Sequence, residues 1–205
     1  KNPVIVDCGA YVGLTALFYA QRFPQACIHS FEGDPVRARI SQGNLRSQGV
    51  GNAHVHSKAV WIEDGVVPFQ ASGSTNGARE TIEVPAIRLK NWIGDNPVDL
   101  LRLNIKGAEF HVLQDCESLL PRIRMVIVEL QFPNAGGYTF GNLLNFFEAN
   151  NFEISFKNHL ESNGKDLPKP QFPSNQTPGA KISLYARRRN RKNEIDISPL
   201  PIQCN

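Results

Sequence analysis

Asp7 closes the apolar run Val4-Ile5-Val6, and Gly9 and Gly13 follow with three residues between them. A helical pattern starts at once with Leu14, Leu17 and Phe18. This is the sequence of a buried strand that feeds a helix through a tight loop. Glycines at such a corner let a ligand approach the backbone, because no Cβ stands in the way. The helix start beyond them offers free N–H groups and a partial positive charge. The chemistry is that of gripping a small molecule with an anionic group. A second acid, Glu32, ends the next apolar segment, Cys27-Ile28-His29-Ser30-Phe31. A third set, Asn104, Lys106, Glu109 and Glu129, falls at the ends of two later apolar segments. Taken singly, Asp7 and Glu32 could be a capping acid and a surface acid; together around a glycine loop they form a constellation.

The glycine spacing separates two ligand classes. A dinucleotide loop needs G-x-G-x-x-G, with the middle glycine admitting the pyrophosphate. Here that position is Tyr11, in Gly9-Ala10-Tyr11-Val12-Gly13. An oxidoreductase using a dinucleotide is therefore disfavoured. The form Asp-x-Gly-Ala-x-x-Gly resembles motif I of class I methyltransferases, which bind S-adenosylmethionine.

These residues need an alternating frame to position them, and the first half supplies one. Strands are expected at 3–8, 27–32, 53–60, 98–105 and 124–130, with helices at 13–23, 35–48, 108–120 and 140–150. Asp34 and Pro35 read as N-cap and first residue of the second helix, and Gly49 as its stop. Residues 61–87 break the rhythm as a hairpin-like insertion with a polar tip, and 88–94 suit a short helix. Segments 152–156 and 181–187 supply two closing strands, separated by the proline-containing loop 158–180. The pattern is α/β, with a Rossmann-like, mostly parallel sheet. One domain is expected over 1–187, followed by a basic C-terminal tail, 188–205.

Those elements and motifs resemble the FkbM-type methyltransferases over about residues 3–156. The resemblance is carried by VDCGAYVG at the start, FEGDP after the second strand, VDLLRLNIKGAEFHVL around the fourth, and VIVEL with Glu129. It implies a seven-stranded sheet with an antiparallel last strand, S-adenosyl-L-methionine as cofactor, and O-methylation of a hydroxyl on a sugar or other small metabolite. On this resemblance Asp7, Gly9, Ala10, Tyr11, Gly13, Glu32, Gly33 and Ala59 are the expected cofactor-binding residues, with Gly33 and Ala59 on the adenine side. Asn104, Lys106, Glu109 and Glu129 are the expected catalytic residues. The family usually shows Lys-Ile-Asp-x-Glu-Gly-Ala-Glu, where this chain has Arg102-Leu103-Asn104-Ile105-Lys106-Gly107-Ala108-Glu109. Two carboxylates are thus replaced at the strand end that faces the transferable methyl. This departure keeps a catalytically impaired cofactor-binding protein open as an alternative.

Lys106 near a helix start opposes the helix dipole by about 0.3–1 kcal/mol, which Glu109, three residues on, can partly offset. His111 reads as a surface helical residue. No cluster has metal-ligand spacing, so no metal is expected.

The whole chain bounds the rest. It has 205 residues, 41% hydrophobic and 20% charged, which suits one domain with a substantial core. No segment reaches the ~20 apolar residues of a membrane span. Cys8, Cys27, Cys116 and Cys204 form no C-x-x-C pair, so a reducing, cytoplasmic setting without a disulfide framework is expected. The first strand begins almost immediately after Lys1, and residues upstream are expected. The net charge of +3 is local: Arg187 to Lys192 holds five basic residues, and without them the chain is slightly acidic. A basic run can contact nucleic acid, which leaves a nucleic-acid methyltransferase as a further alternative. More often such a run is a solvated terminus, and a small-molecule acceptor is the expected partner.

Overall fold

In the computed structural model, Val4–Cys8 (β1) is buried at all five positions, as a central strand requires. The structure describes residues 2–71, 80–131, 136–159 and 181–189, without the side chains of 131, 158, 159 and 181. The glycine turn leads to α1 (Leu14–Arg22), then β2 (Cys27–Phe31), α2 (Pro35–Ser47) and β3 (Ala53–His56). A short β4 (Ala59–Trp61), β5 (Gly65–Ala71) and β6 (Glu80–Arg88) follow. Next come α3 (Leu89–Ile93), β7 (Val98–Leu103), α4 (Glu109–Asp115), a 3₁₀ turn at Glu117–Arg122 and β8 (Ile123–Gln131). α5 (Phe140–Ala149), β9 (Phe152–His159) and β10 (Lys181–Arg188) complete the chain.

The main sheet has seven strands in the order β3-β2-β1-β7-β8-β10-β9. β10 runs antiparallel to both neighbours, while β3, β2, β1, β7 and β8 pair in parallel. The expected architecture is met, including the antiparallel closing strand. Side chains alternate across the sheet. On one face, Ile5 and Ile28 pack against Ala16, Tyr19 and Ala20 of α1 and Leu45 of α2. On the other, Val4, Val6, Cys8 and Phe31 join Leu89 and Ile93 of α3, Val112 and Leu113 of α4, and Leu143 and Phe147 of α5.

Local chemistry sets several boundaries. Asp34 caps α2 by accepting the N–H groups of Val36 at 2.9 Å and Arg37 at 3.2 Å. Thr139 and Asn142 form a reciprocal capping box at α5.

Several expectations are corrected. The strand expected at 53–60 breaks at Ser57-Lys58, where the Lys58 N–H turns back to the His56 carbonyl. Ala59–Trp61 then leaves the main sheet and pairs in parallel with β6, so the insertion is a three-stranded sheet, β4-β6-β5, rather than a hairpin. The helix expected at 108–120 ends at Asp115 and continues as the 3₁₀ turn, with Pro121 inside it and unable to donate. The strand expected to reach 105 stops at Leu103, because Asn104 donates to the Cys8 carbonyl and Lys106 and Gly107 turn to positive φ. Arg187 and Arg188 belong to β10, and Arg187 pairs with Glu153 at 2.9 Å. Cys8 and Cys116 are buried free thiols, as expected, but Cys27 is disulfide-bonded. The insertion tip 72–79, loop residues 160–180 and tail residues 190–205 lie outside the described residues.

Candidate active site

The glycine turn closes over the carboxyl end of the parallel strands. Gly9 and Ala10 both donate to the Phe31 carbonyl at 2.9 Å, which ties the turn to the end of β2. Gly9 sits at φ +92°, and a Cβ there would overlap the Asn104 carbonyl oxygen. Gly13, at φ +86°, has Ser41 Oγ of α2 where a Cβ would stand, at 2.5 Å. Both conformations are ones that L side chains rarely adopt. Tyr11 also has positive φ, +53°; its ring is exposed and lies 4.7 Å from the Arg37 guanidinium carbon.

Glu32 is buried and braces this turn. Its Oε2 accepts the Tyr11 N–H at 2.7 Å and its Oε1 the Asp34 N–H at 2.9 Å. Burial pushes the carboxyl pKa up, and the two N–H bonds and Arg37 oppose that push without cancelling it. Gly33 follows, and a Cβ there would stand 2.5 Å from the Phe69 ring of β5. Ala59 is buried in the same cluster as Phe69. The two expected adenine-side residues therefore share one aromatic neighbour.

Under the turn runs a row of alternating charge. Arg102 pairs in register with Asp7, and its Nη1 is 2.6 Å from Asp7 Oδ1. Its Nε and Nη2 reach Glu129 Oε1 at 2.8 and 2.7 Å. Asn104 Nδ2 donates to Glu129 Oε2 at 2.9 Å. Asp7 is fully buried, and its Oδ2 has no hydrogen-bond partner among the described residues. Burial raises the Asp7 carboxyl pKa, with Arg102 pulling the other way. Burial works against the Arg102 charge too, but Asp7 and Glu129 together raise its pKa, so it stays protonated.

The loop after β7 is held from inside. Glu109 is buried; its Oε1 accepts the Ile105 N–H at 2.9 Å, and its Oε2 accepts the Gly107 N–H and the Tyr138 hydroxyl, both at 2.8 Å. Burial, then the Glu109 charge, pushes the Tyr138 hydroxyl pKa well up. A Cβ at Gly136 would overlap the Gly107 carbonyl, so the segment after β8 rests on this loop. Lys106 lies between the two N–H groups that Glu109 holds, exposed and at φ +55°. A non-glycine residue in that region costs about 1–2 kcal/mol and persists where its surroundings fix it.

The expected residues thus gather in two places. Asp7, Gly9, Ala10, Tyr11, Gly13, Glu32 and Gly33 form the turn and the end of β2. Asn104 and Glu129 bond to each other beside it. Glu109 is not an exposed carboxylate: its oxygens hold the loop and Tyr138. His111 faces Trp61 and lines a separate cavity of about 380 Å³ with Ile62, Glu63, Arg88, Gln114 and Asp115. Sequence reasoning assigns no role to Arg102, Tyr138 or Phe69. Arg102 carries a signal, a cation inside an apolar strand two residues before Asn104. Phe69 carries a weaker one, its alternation with Val67 in a strand of the insertion. Tyr138 carries none.

The fit to the expected cofactor can be tested on the turn itself. Asp7 Oδ2 is a buried carboxylate oxygen without a hydrogen-bond partner among the described residues, and such an atom suits a ligand that brings N–H groups. An ammonium group is a ligand chemistry that would meet that oxygen. No group of His, Cys, Asp and Glu with metal-holding geometry occurs among the described residues.

The family model described as "Methyltransferase FkbM domain" matches residues 7–154. The chain belongs to the FkbM methyltransferase family. "Methyltransferase 1" of Beauveria bassiana (strain ARSEF 2860) is 25% identical over 148 residues, covering 57% of this chain and 59% of that protein. The "2-O-methyltransferase NoeI" of Sinorhizobium fredii (strain NBRC 101917 / NGR234) is 23% identical over 155 residues, covering 62% of this chain and 63% of that protein. The FkbM chain thus spans about three fifths of those relatives' length. Among solved structures, "Methyltransferase FkbM from Methylobacillus flagellatus KT" aligns with a TM-score of 0.62 at 12% identity, over 89% of this chain and 43% of that one. "M. capricolum TrmK in complex with the natural cofactor product S-adenosyl-homocysteine" aligns with a TM-score of 0.57 at 9% identity, over 96% and 67%. These likenesses establish the class I methyltransferase fold.

Proposed function

We propose that this FkbM-family chain is an S-adenosylmethionine-dependent O-methyltransferase acting on a small-molecule acceptor. The observation that carries the reading is the donor-less Oδ2 of Asp7 beneath the Gly9–Gly13 turn. Asp7 would accept from the ammonium of the cofactor, while Gly9, Ala10 and Gly13 let its amino-acid end lie on the backbone, with Tyr11 at the rim. Glu32 would hold the ribose; each carboxylate oxygen has a second lone pair beyond the N–H bond it already accepts. Gly33 and Ala59 would line the adenine. When bound, the cofactor supplies an electrophilic methyl carbon on a sulfonium.

The chain's own part is alignment, worth ~7–11 kcal/mol at best. Arg102 fixes Asp7 and Glu129 relative to one another. Asn104 can donate to or accept from the acceptor but is no base. Glu109 is a positioning residue that fixes the backbone on either side of Lys106. The resemblance implies a sugar or metabolite hydroxyl as acceptor, and the relative named a 2-O-methyltransferase supports oxygen as the target. A hydroxyl brings a proton that some group must take. Of the described carboxylates in this row and turn, Glu129, whose side chain is 38% exposed, is the one that faces solvent. No helix among the described residues is long and apolar enough to cross a membrane.

Calorimetric titration with S-adenosylhomocysteine tests the reading. Binding heat in the native chain supports it; no heat at high micromolar ligand ends it.

A further inference from the structure

We propose that the outer face of α1 and α2 docks on an anionic lipid bilayer, with its apolar side chains in the headgroup region and its arginines on the lipid anions. The inference is independent of the methyltransferase reading.

Charge is distributed one-sidedly in this part of the chain. Residues 8–62 carry Arg22, Arg37, Arg39, Arg46 and Lys58 against two acids, Glu32 and Asp34, and both acids are buried. Neither α1 nor α2 contains an acid. The same stretch exposes large apolar side chains. Leu14 and Phe18 stand four apart on α1, and Val36 and Ile40 four apart on α2, with exposures from 45% at Ile40 to 66% at Leu14. That spacing sets each pair on one side of its helix. The buried sides carry Ala16 and Tyr19 in α1 and Ala38 and Leu45 in α2. The two helices are tied together, since Gly13 packs on Ser41 and Asn44 Nδ2 donates to the Val12 carbonyl at 2.8 Å. Tyr11, exposed in the glycine turn, adjoins them through its contact with Arg37. Five of the nine large apolar side chains exposed among the described residues lie on this one face.

An apolar surface of this kind marks a contact site, and its charge selects the partner. A second copy of the chain would set arginine against arginine with no acid between them. A nucleic acid would take the arginines and leave Leu14, Val36 and Ile40 in water. A bilayer with anionic headgroups takes both sets: the apolar side chains enter the boundary between headgroups and acyl chains, and the arginines stay at the anionic surface. Tyr11 suits the same depth, with an apolar ring and a polar hydroxyl. Because Tyr11 belongs to the glycine turn, docking sets one edge of that turn against the lipid.

The test is flotation of the intact chain with vesicles. Phosphatidylcholine vesicles containing about 30% phosphatidylserine should carry the chain upward, and phosphatidylcholine alone should not. Raising the salt from about 0.1 M to about 1 M should release most of it. Leu14→Ser with Phe18→Ser should weaken binding about tenfold or more. Arg39→Gln with Arg46→Gln should also weaken it about tenfold or more. Val66→Ser, an equally exposed apolar position on β5, should leave binding unchanged, and melting temperatures should stay alike across the set.

No flotation with the anionic vesicles overturns the proposal. So does flotation that survives Leu14→Ser with Phe18→Ser, or a loss just as large in Val66→Ser. Binding that depends instead on Arg189 and Arg191, read from their replacement by Gln, would place the contact at the basic tail and overturn it as well. A dimer in sedimentation that Phe18→Ser disperses would make this face a self-association surface, with the same consequence.

Discussion

Replacing Arg102 by Met would strip the central cation from the charged row while keeping an unbranched stem to fill the space. Asp7, fully buried, would lose its counter-charge 2.6 Å away. Glu129, with 38% of its side chain exposed, can turn to water and should contribute little to the loss. Breaking a buried pair from one side costs about 3–5 kcal/mol. In a domain of this size that lowers the melting midpoint by about 6–20 °C. The cost should depend on pH in a definite direction. Burial already raises the Asp7 pKa above its ordinary 3.8 despite Arg102, and without Arg102 it must rise further. A carboxyl raised by folding favours the native state in its protonated form and disfavours it once ionised. The gap between Arg102→Met and the native chain should therefore be widest near pH 8 and shrink as pH falls and Asp7 takes a proton. Adding Asp7→Asn should recover most of the loss at pH 8, because no buried charge is then left. Urea unfolding of the three variants and the native chain at about pH 5 and 8 measures this. A gap of equal size at both pH values, or no rescue by Asp7→Asn, would refute the reasoning and make Arg102 a packing residue.

His29 predicts the opposite kind of acid sensitivity. Burial, then the charges of His56 and His54, lowers its pKa from 6.5 to about 4. Its contribution should be complete above pH 6.5 and lost as pH falls towards 4, so His29→Phe should flatten the melting-temperature slope in that window; an unchanged slope would remove His29 from the account. Gly9→Ala should cost about 2 kcal/mol or more, since φ is +92° and the Cβ meets a backbone carbonyl. Gly43→Ala, inside α2 with no atom within 4 Å, should instead gain about 0.5–1 kcal/mol, and thermal melts of the pair separate the two cases. Glu109→Gln leaves one of the Ile105 and Gly107 N–H groups without an acceptor. Its amide exchange at those two positions should quicken while S-adenosylhomocysteine still binds; unchanged exchange would show that Glu109 does not hold the loop.

The parts of this fold that are legible in the sequence are those where local chemistry and burial agree. β1 and β2 read clearly because both faces are covered and each run ends in an acid; α2 reads clearly because Asp34 and Pro35 mark its start. β3 and β4 read as one strand because nothing local separates Val55-His56 from Ala59-Val60. The break follows from the pairing of Ala59–Trp61 with β6, a contact some 27 residues away in register. For the same reason Glu109 reads as a reactive acid. Its spacing from Asn104 is visible, but Tyr138 and the inward turn of its carboxylate are set by the segment after β8. The constellation Asp7, Gly9, Gly13 and Glu32 is legible because it occupies consecutive strand ends, whose proximity is a property of parallel topology.

Topology also explains why a cation must stand between the acids. Asp7 and Arg102 are register partners, Arg102 is the partner of Ile127, and Glu129 is the next residue of β8 on that face. Neighbouring strands lie about 4.8 Å apart, so an acid in place of Arg102 would set three carboxylates along one partly buried row. Arg102 resolves that row but uses only Asp7 Oδ1; Oδ2 stays buried without a donor. A buried acceptor left unmade costs about 1–3 kcal/mol. Under the proposed function that cost would end when the ligand's ammonium donates there, and part of the affinity would come from relieving it. On that reading Asp7→Asn removes the charge that would hold the ammonium and should weaken binding of S-adenosylhomocysteine more than that of adenosine, which has no amino-acid end. Equal weakening of both would show that Asp7 shapes the turn without touching the ligand.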